Sequence, residues 1–347
     1  MKTKVRKTYN YLIRFLIIFT TYGFIYQQVF YKRNLEEIYH SFLDGFNHGW
    51  FINMLILVII LMILNWAVET SKWKYLINKI EFVSWNRCFK AVLTGVAVSS
   101  FTPNRVGDYF GRVFILEKAN RIEGIFITIV GSMSQLLVTF TVGTSCIYFM
   151  FLVYPETLLS YFKIPGYLYT YFLWGGAILI VGINILVILL FLNISLLLSL
   201  ASRFKGKFVE RFRSYIHILS AYTFRELLIV IFFSLLRFVI FSTQMYLLLR
   251  MFSVELPYLH GVIIIAVIFF VMTMIPTVAI TELGIRGSVS LFLIGVYFGN
   301  PLGMPASLSL GIVAASTTLW IINLAVPALI GAIFVFNLKF FRKAADE

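Results

Sequence analysis

The sequence is short of charge, of histidine and of cysteine. Asp, Glu, Lys and Arg together make up 13% of its 347 residues, too few to clothe the surface of a soluble protein of that size. Its two cysteines, Cys88 and Cys146, lie in or beside apolar runs with no CxxC or Cys/His spacing. They read as small buried hydrophobes, and neither a metal site, a cofactor site nor a disulfide framework is expected. The four histidines (His40, His48, His217, His260) are scattered, and DxD, HExxH and GxSxG are absent, which leaves a membrane-embedded transferase without an evident base or metal site. An ATP-binding motif is absent too, so any transport would run downhill or on an ion or proton gradient, with Asp108 and Glu282 as the carboxylates able to carry a proton.

Apolar residues are what the chain has in quantity. Hydrophobic residues reach 60%, Phe alone numbers 36, and the mean hydropathy is +0.91. This is the composition of an all-α polytopic membrane protein. The formal net charge of +14 would point to nucleic acid in a soluble chain. Here the basic residues sit in short connections between apolar runs, where they set topology and attract anionic headgroups, so nucleic acid is not an expected partner.

Taken in order, residues 1–14 carry five basic side chains and no acidic one before an apolar run from Leu12 to Phe30. That run is too long for a signal peptide and reads as a first span starting in the cytoplasm. An amphipathic outer connection (Tyr31 to Trp50) and a second span (Phe51 to Val68) follow. The polar turn after it, Glu69 to Tyr75, has Trp beside Lys and reads mainly as an interface belt with snorkelling ammonium groups, the other reading being a direct headgroup contact. Further spans are expected over 122–153, 168–200, 227–249 and 307–336, with a basic cytoplasmic connection over 201–226.

Two apolar runs are too short to span and end in proline. From Cys88 the chain is apolar for 14 residues, then comes TPNRVGD, then a short helix expected from Asp108 to Leu116. From His260 a second run stops at Pro276, and a second limb is expected from Ser288 to Phe298. Basic residues flank the first pair on both sides, so it reads as a re-entrant hairpin entering from the cytoplasm; counting back from the basic C-terminus makes the second enter from outside. The fold expected is therefore about six full spanning helices plus two opposed re-entrant hairpins, an inverted repeat. All of it forms one integral membrane domain, 1–347: N-terminal spans 1–90, first hairpin 91–121, spans 122–257, second hairpin 258–304, last span and cytoplasmic tail 305–347.

The hairpins also hold charges that are costly at membrane depth. Asp108 and Arg112 are four apart on one helix face, with Arg105 near enough to join them; Glu282 and Arg286 repeat the spacing. Each set reads either as a phosphate-headgroup site, through bidentate arginine donors, or as a salt bridge pinning its hairpin. Arg237, midway along its span, should face the interior and meet Asp108, Glu282 or a lipid phosphate. Candidate headgroup residues are thus Arg105, Asp108, Arg112, Arg237, Glu282 and Arg286, with Pro103, Gly107, Pro276 and Gly284 at the hairpin tips.

TPNRVGDYFGRVFIL and, at the right separation, IPTVAITELGIRGSVSLFLIG resemble the two signatures of the lysylphosphatidylglycerol synthase membrane-domain family, over roughly Asn53 to Phe336. The resemblance implies a flippase-like fold that moves a phospholipid or another phosphate-headed amphiphile between leaflets. By match, Pro103, Gly107, Asp108 and Arg112 fall on the first signature, and Pro276, Gly284 and Arg286 on the second. Two departures are visible: Gly131, Ser132 and Gln135 stand where the family often has acids and an arginine, and Gly287 replaces an acid that commonly follows the second arginine. The soluble aminoacyltransferase domain of the full synthases is missing, so lysyl transfer by this polypeptide is not expected. The function expected is translocation of an anionic lipid, phospholipid or polyprenyl-phosphate-linked, in the cell membrane. The alternatives are a non-catalytic partner of a glycosyltransferase in glycolipid or envelope assembly, or a lipid-modifying transferase.

Overall fold

The computed structural model describes residues 19, 49–102, 105–162, 165–193, 221–275, 279–300 and 303–335. All but residue 19 of the expected first span, most of the outer connection after it, residues 194–200 of the span expected over 168–200 and residues 201–220 of the basic connection lie outside the described residues. Among those described, the regular structure is helical, and five helices are long and apolar enough to cross a membrane. They are α1 (Gly49–Ile77), α4 (Arg121–Val153), the Leu173–Leu192 part of α6 (Tyr169–Leu192), α7 (Phe224–Met251) and a continuous helix over Ala306–Phe334. The last is built from α10 (Ala306–Trp320), a π-helical turn (Ile321–Ala325) and α11 (Val326–Phe334). Between them lie α2 (Trp85–Ser99), α3 (Gly107–Val113), α5 (Pro155–Phe162), α8 (Tyr258–Met274) and α9 (Ala279–Tyr297).

Local chemistry sets several of these starts. Thr223 and Glu226 form a reciprocal capping box at the head of α7, and the Asn120 side chain accepts the Ile122 N–H at the head of α4, each satisfying N–H groups that a helix start leaves unpaired. The outward faces of the long helices are apolar: Trp174, Ile178 and Leu179 on α6 are all largely exposed. Hydrocarbon is the solvent for such a face, because the helix already satisfies its own backbone.

One expectation fails at the end of α1. The helix runs on through Glu69–Tyr75, and Lys72 and Trp73 are 2% and 1% exposed. Trp73 donates its indole N–H to Thr128 Oγ1 at 3.0 Å. This turn is core rather than an interface belt, since α4 and α7 pack over it.

Both short apolar runs do form helix–break–helix pairs. In the first, α2 and α3 are antiparallel: Arg87 reaches the Ile115 carbonyl at 2.9 Å, and Gly95 faces Gly111. A methyl on Gly111 would lie 2.6 Å from the Gly95 Cα, so the two backbones touch. In the break, Thr102 Oγ1 accepts the Gly107 N–H at 2.8 Å, and Arg105 takes a left-handed φ of 57°, a conformation that costs a non-glycine residue energy unless its surroundings hold it. The second limb, α3, stops at Val113, three residues before the expected end. In the second pair, α9 starts at Ala279, well before Ser288. Gly284 therefore lies inside a helix, with open space where its Cβ would be, and is not part of a turn. Pro103 and Pro276 are outside the described residues.

A staple outside the spans ties α1 to the α3–α4 connection. The Glu81 carboxylate accepts the N–H groups of Glu117, Lys118 and Ala119, at 2.8 Å from the last two. Partial burial pushes this carboxyl up, but the three N–H donors and Arg87 outweigh it and hold the group below its ordinary value of 4.5. A carboxyl depressed in the folded state stabilises it above the unfolded value and loses that contribution as pH falls through the folded one. Thermal melts of wild type and Glu81→Ala should therefore differ fully at pH 7 and converge as the pH drops below about 4.5.

Candidate functional site

α1 sets Asn65, Glu69 and Lys72 along one face, at the spacing that stacks side chains on a helix. Glu69 is buried and gathers three cations. Its Oε1 accepts from Arg112 Nη1 at 2.7 Å, its Oε2 from Arg237 Nη1 at 2.8 Å, and Lys72 Nζ lies 2.9 Å from Oε2. Arg112 also holds Asp108 with both arms of its fork, Nε to Oδ1 at 2.8 Å and Nη2 to Oδ2 at 2.6 Å. Arg237 donates Nε to Asn65 Oδ1 at 3.0 Å and lies over the Trp66 ring. Asn65 in turn reaches Asn323 on the π-helical turn at 3.2 Å. The partner of Arg237 is thus Glu69, neither Asp108 nor Glu282. Lys72 completes its shell with the Gly131 carbonyl and Ser234 Oγ, at 3.2 and 3.4 Å.

A second carboxylate, Glu282, organises the break of the second pair. Arg105 Nη2 lies 2.8 Å from both of its oxygens, and Arg286 Nη2 donates to Oε1. Arg105 was expected to join Asp108; its left-handed backbone carries it instead to α9, so the two helix–break–helix units meet through an ion pair. Arg286 is only 7% exposed, and its Nε and Nη1 have no hydrogen-bond partner. A buried guanidinium with two free N–H groups is an unmet demand for an anion.

Both clusters open into one cavity of about 590 Å³. All six charged residues expected from the sequence line it, and so do Glu69 and Lys72; Gly107 and Gly284 do not. Among the described residues its wall has five cationic side chains (Lys72, Arg105, Arg112, Arg237, Arg286) against three carboxylates (Glu69, Asp108, Glu282), an excess of two positive charges. Apolar side chains line it as well, Leu136, Phe238, Phe241, Phe269 and Met272 among them, with the Arg286 guanidinium over the Phe241 ring. Charged and apolar side chains in one cavity suit the two halves of an amphiphile.

The family model for the lysylphosphatidylglycerol synthase TM region matches residues 11–331. The chain belongs to that family. No curated protein and no solved structure matches. With the five apolar helices, membership makes the chain a multi-pass membrane protein.

In this member of the lysylphosphatidylglycerol synthase TM-region family, reading the sequence missed the centre of the site. The Trp73, Lys74 and Tyr75 that follow Glu69 and Lys72 make the stretch read as an interface belt, with a direct headgroup contact as the other reading. The signal that could have found them is the i, i+4, i+7 spacing of Asn65, Glu69 and Lys72, polar positions on one stripe of an otherwise apolar helix. The family departures have local counterparts: Gly131 supplies a carbonyl to Lys72, and Gln135 Nε2 donates to the Ser234 carbonyl at 3.3 Å.

Proposed function

We propose that the protein binds an anionic lipid, phospholipid or polyprenyl-phosphate-linked, by its phosphate headgroup in this cavity and passes it between the leaflets of the cell membrane. The observation that carries the reading is Arg286, buried with two unpartnered N–H groups in the wall of a cavity that holds excess positive charge. Arg105, Arg237 and Arg286 are the headgroup donors; Glu282 holds Arg105 and Arg286, Glu69 and Asn65 hold Arg237, and Arg112, clamped by Asp108, braces Glu69. The chain forms one integral domain, with both termini cytoplasmic and the two helix–break–helix units entering as hairpins from opposite faces. In that arrangement the Arg105–Glu282 pair lies where the tips meet, between the routes to each leaflet. Buried arginines at membrane depth are costly, and a passing headgroup offsets the cost.

Native mass spectrometry of the purified protein with retained lipids tests the reading. Wild type should keep an anionic lipid that Arg286→Ala releases, with affinity lowered about tenfold or more, the scale of one lost charge-assisted hydrogen bond. Equal retention by both forms, with both still folded, would make Arg286 a purely structural residue and sink the proposal.

A further inference from the structure

We infer that the anion site of this cavity is built for a phosphate with two negative charges, a phosphomonoester or diphosphate, rather than for a singly charged phosphodiester. The inference deepens the lipid-binding reading and rests on it.

The charge count is the first support. Every carboxylate in the wall already has cations: Glu69 lies among Arg112, Arg237 and Lys72, Asp108 is clamped by Arg112, and Glu282 lies between Arg105 and Arg286. Tyr109 is the remaining titratable side chain there and adds no charge in its neutral form. The described wall thus leaves two positive charges without a counter-ion. A diester brings one negative charge and leaves a cation uncompensated in low-dielectric surroundings; a monoester brings close to two at neutral pH.

The second support is where the spare donors lie. Arg286 has Nε and Nη1 free. Arg105 meets Glu282 through Nη2 alone, and Arg237 uses Nε and Nη1, so each has N–H groups beyond those bonds. The three guanidinium groups come from three separate places, the break after α2, α7 and α9, and all line one cavity. A phosphomonoester presents three acceptor oxygens to such a set. A diester has two non-bridging oxygens and offers that set fewer charged acceptor positions.

The test uses the full chain in nanodiscs of neutral phosphatidylcholine, with phosphatidic acid (a monoester) and phosphatidylglycerol (a diester) of the same acyl chains as competing probes, and glycerol 3-phosphate as the soluble monoester. Phosphatidic acid should bind at least about tenfold tighter than phosphatidylglycerol. That preference should fall to near unity in Arg286→Gln and, should that variant not fold, in Arg105→Gln, whose side chain is half exposed. Equal binding of the two anionic lipids, both above phosphatidylcholine, overturns this inference and leaves the lipid-binding reading standing. Binding of neither anionic lipid overturns both. Glycerol 3-phosphate binding as tightly as phosphatidic acid supports the dianion site but moves its ligand from lipid to soluble phosphate, overturning the lipid reading alone.

Discussion

Glu69→Ala should destabilise the protein by about 3–5 kcal/mol, the range for removing one partner from a buried ion pair. Glu69 bonds Arg112 and Arg237 and pairs with Lys72, and Lys72 and Arg112 are 2% and 5% exposed. Without the carboxylate, those cations face one another across the gap it leaves. The damage reaches across the fold, because the three come from α1, α3 and α7. Lys72→Met should be much milder, since Glu69 keeps two arginines when its pair with Lys72 goes, and the other losses are hydrogen bonds to Gly131 and Ser234. Combined, the two changes should cost less than their sum, by about 0.5–3 kcal/mol, because removing Lys72 takes away one of the stranded charges. Unfolding in mixed micelles, followed by tryptophan fluorescence, measures all three variants. A loss under about 1 kcal/mol for Glu69→Ala would mean that the site is open enough for water to replace the carboxylate.

Gly111→Ala is expected to break the first helix–break–helix pair although it adds a single methyl. That methyl would lie 2.6 Å from the Gly95 Cα and 3.0 Å from the Thr94 carbonyl oxygen. Both neighbours are backbone, so no side chain can turn aside, and α2 and α3 must separate. Overpacking of this kind costs about 1–3 kcal/mol or more. Separation would also draw Asp108 and Arg112 away from Glu69, so retained lipid should fall together with stability. Gly284→Ala is the matched control: its Cβ position is open and helical, and alanine there should be neutral or stabilising by up to about 1 kcal/mol. If Gly111→Ala melts like wild type and keeps its lipid, the close approach of the two backbones does not hold in solution.

Two glycines with the same sequence signal have different surroundings in the fold. Gly107 and Gly284 each fall within a signature, and from the sequence both read as tip residues. The structure separates them: a side chain at Gly107 would run into the Val98 carbonyl, 2.5 Å away, whereas Gly284 has open space. Nothing local to either glycine distinguishes them, because the difference is the partner helix.

By itself, the sequence determined what depends on composition and on neighbours along the chain. The low charge and long apolar runs require lipid as the outer solvent, and five of the expected spans coincide with α1, α4, α6, α7 and the Ala306–Phe334 helix. Hydropathy and proline place the breaks, and four-residue spacing pairs Asp108 with Arg112 and Glu282 with Arg286, as the structure has them. Family membership was legible in the two signatures for the same reason, since a motif is a local pattern. Tertiary structure alone decided the pairings between segments far apart. Arg105 meets Glu282 across 177 positions and Arg237 meets Glu69 across 168, and no pattern of neighbours encodes such a choice. Lys72 looked like an interface lysine because only packing by α4 and α7 removes it from water. Charge is chosen locally in the sequence, but its partner is chosen by which helices the fold brings together, and that choice makes the cavity.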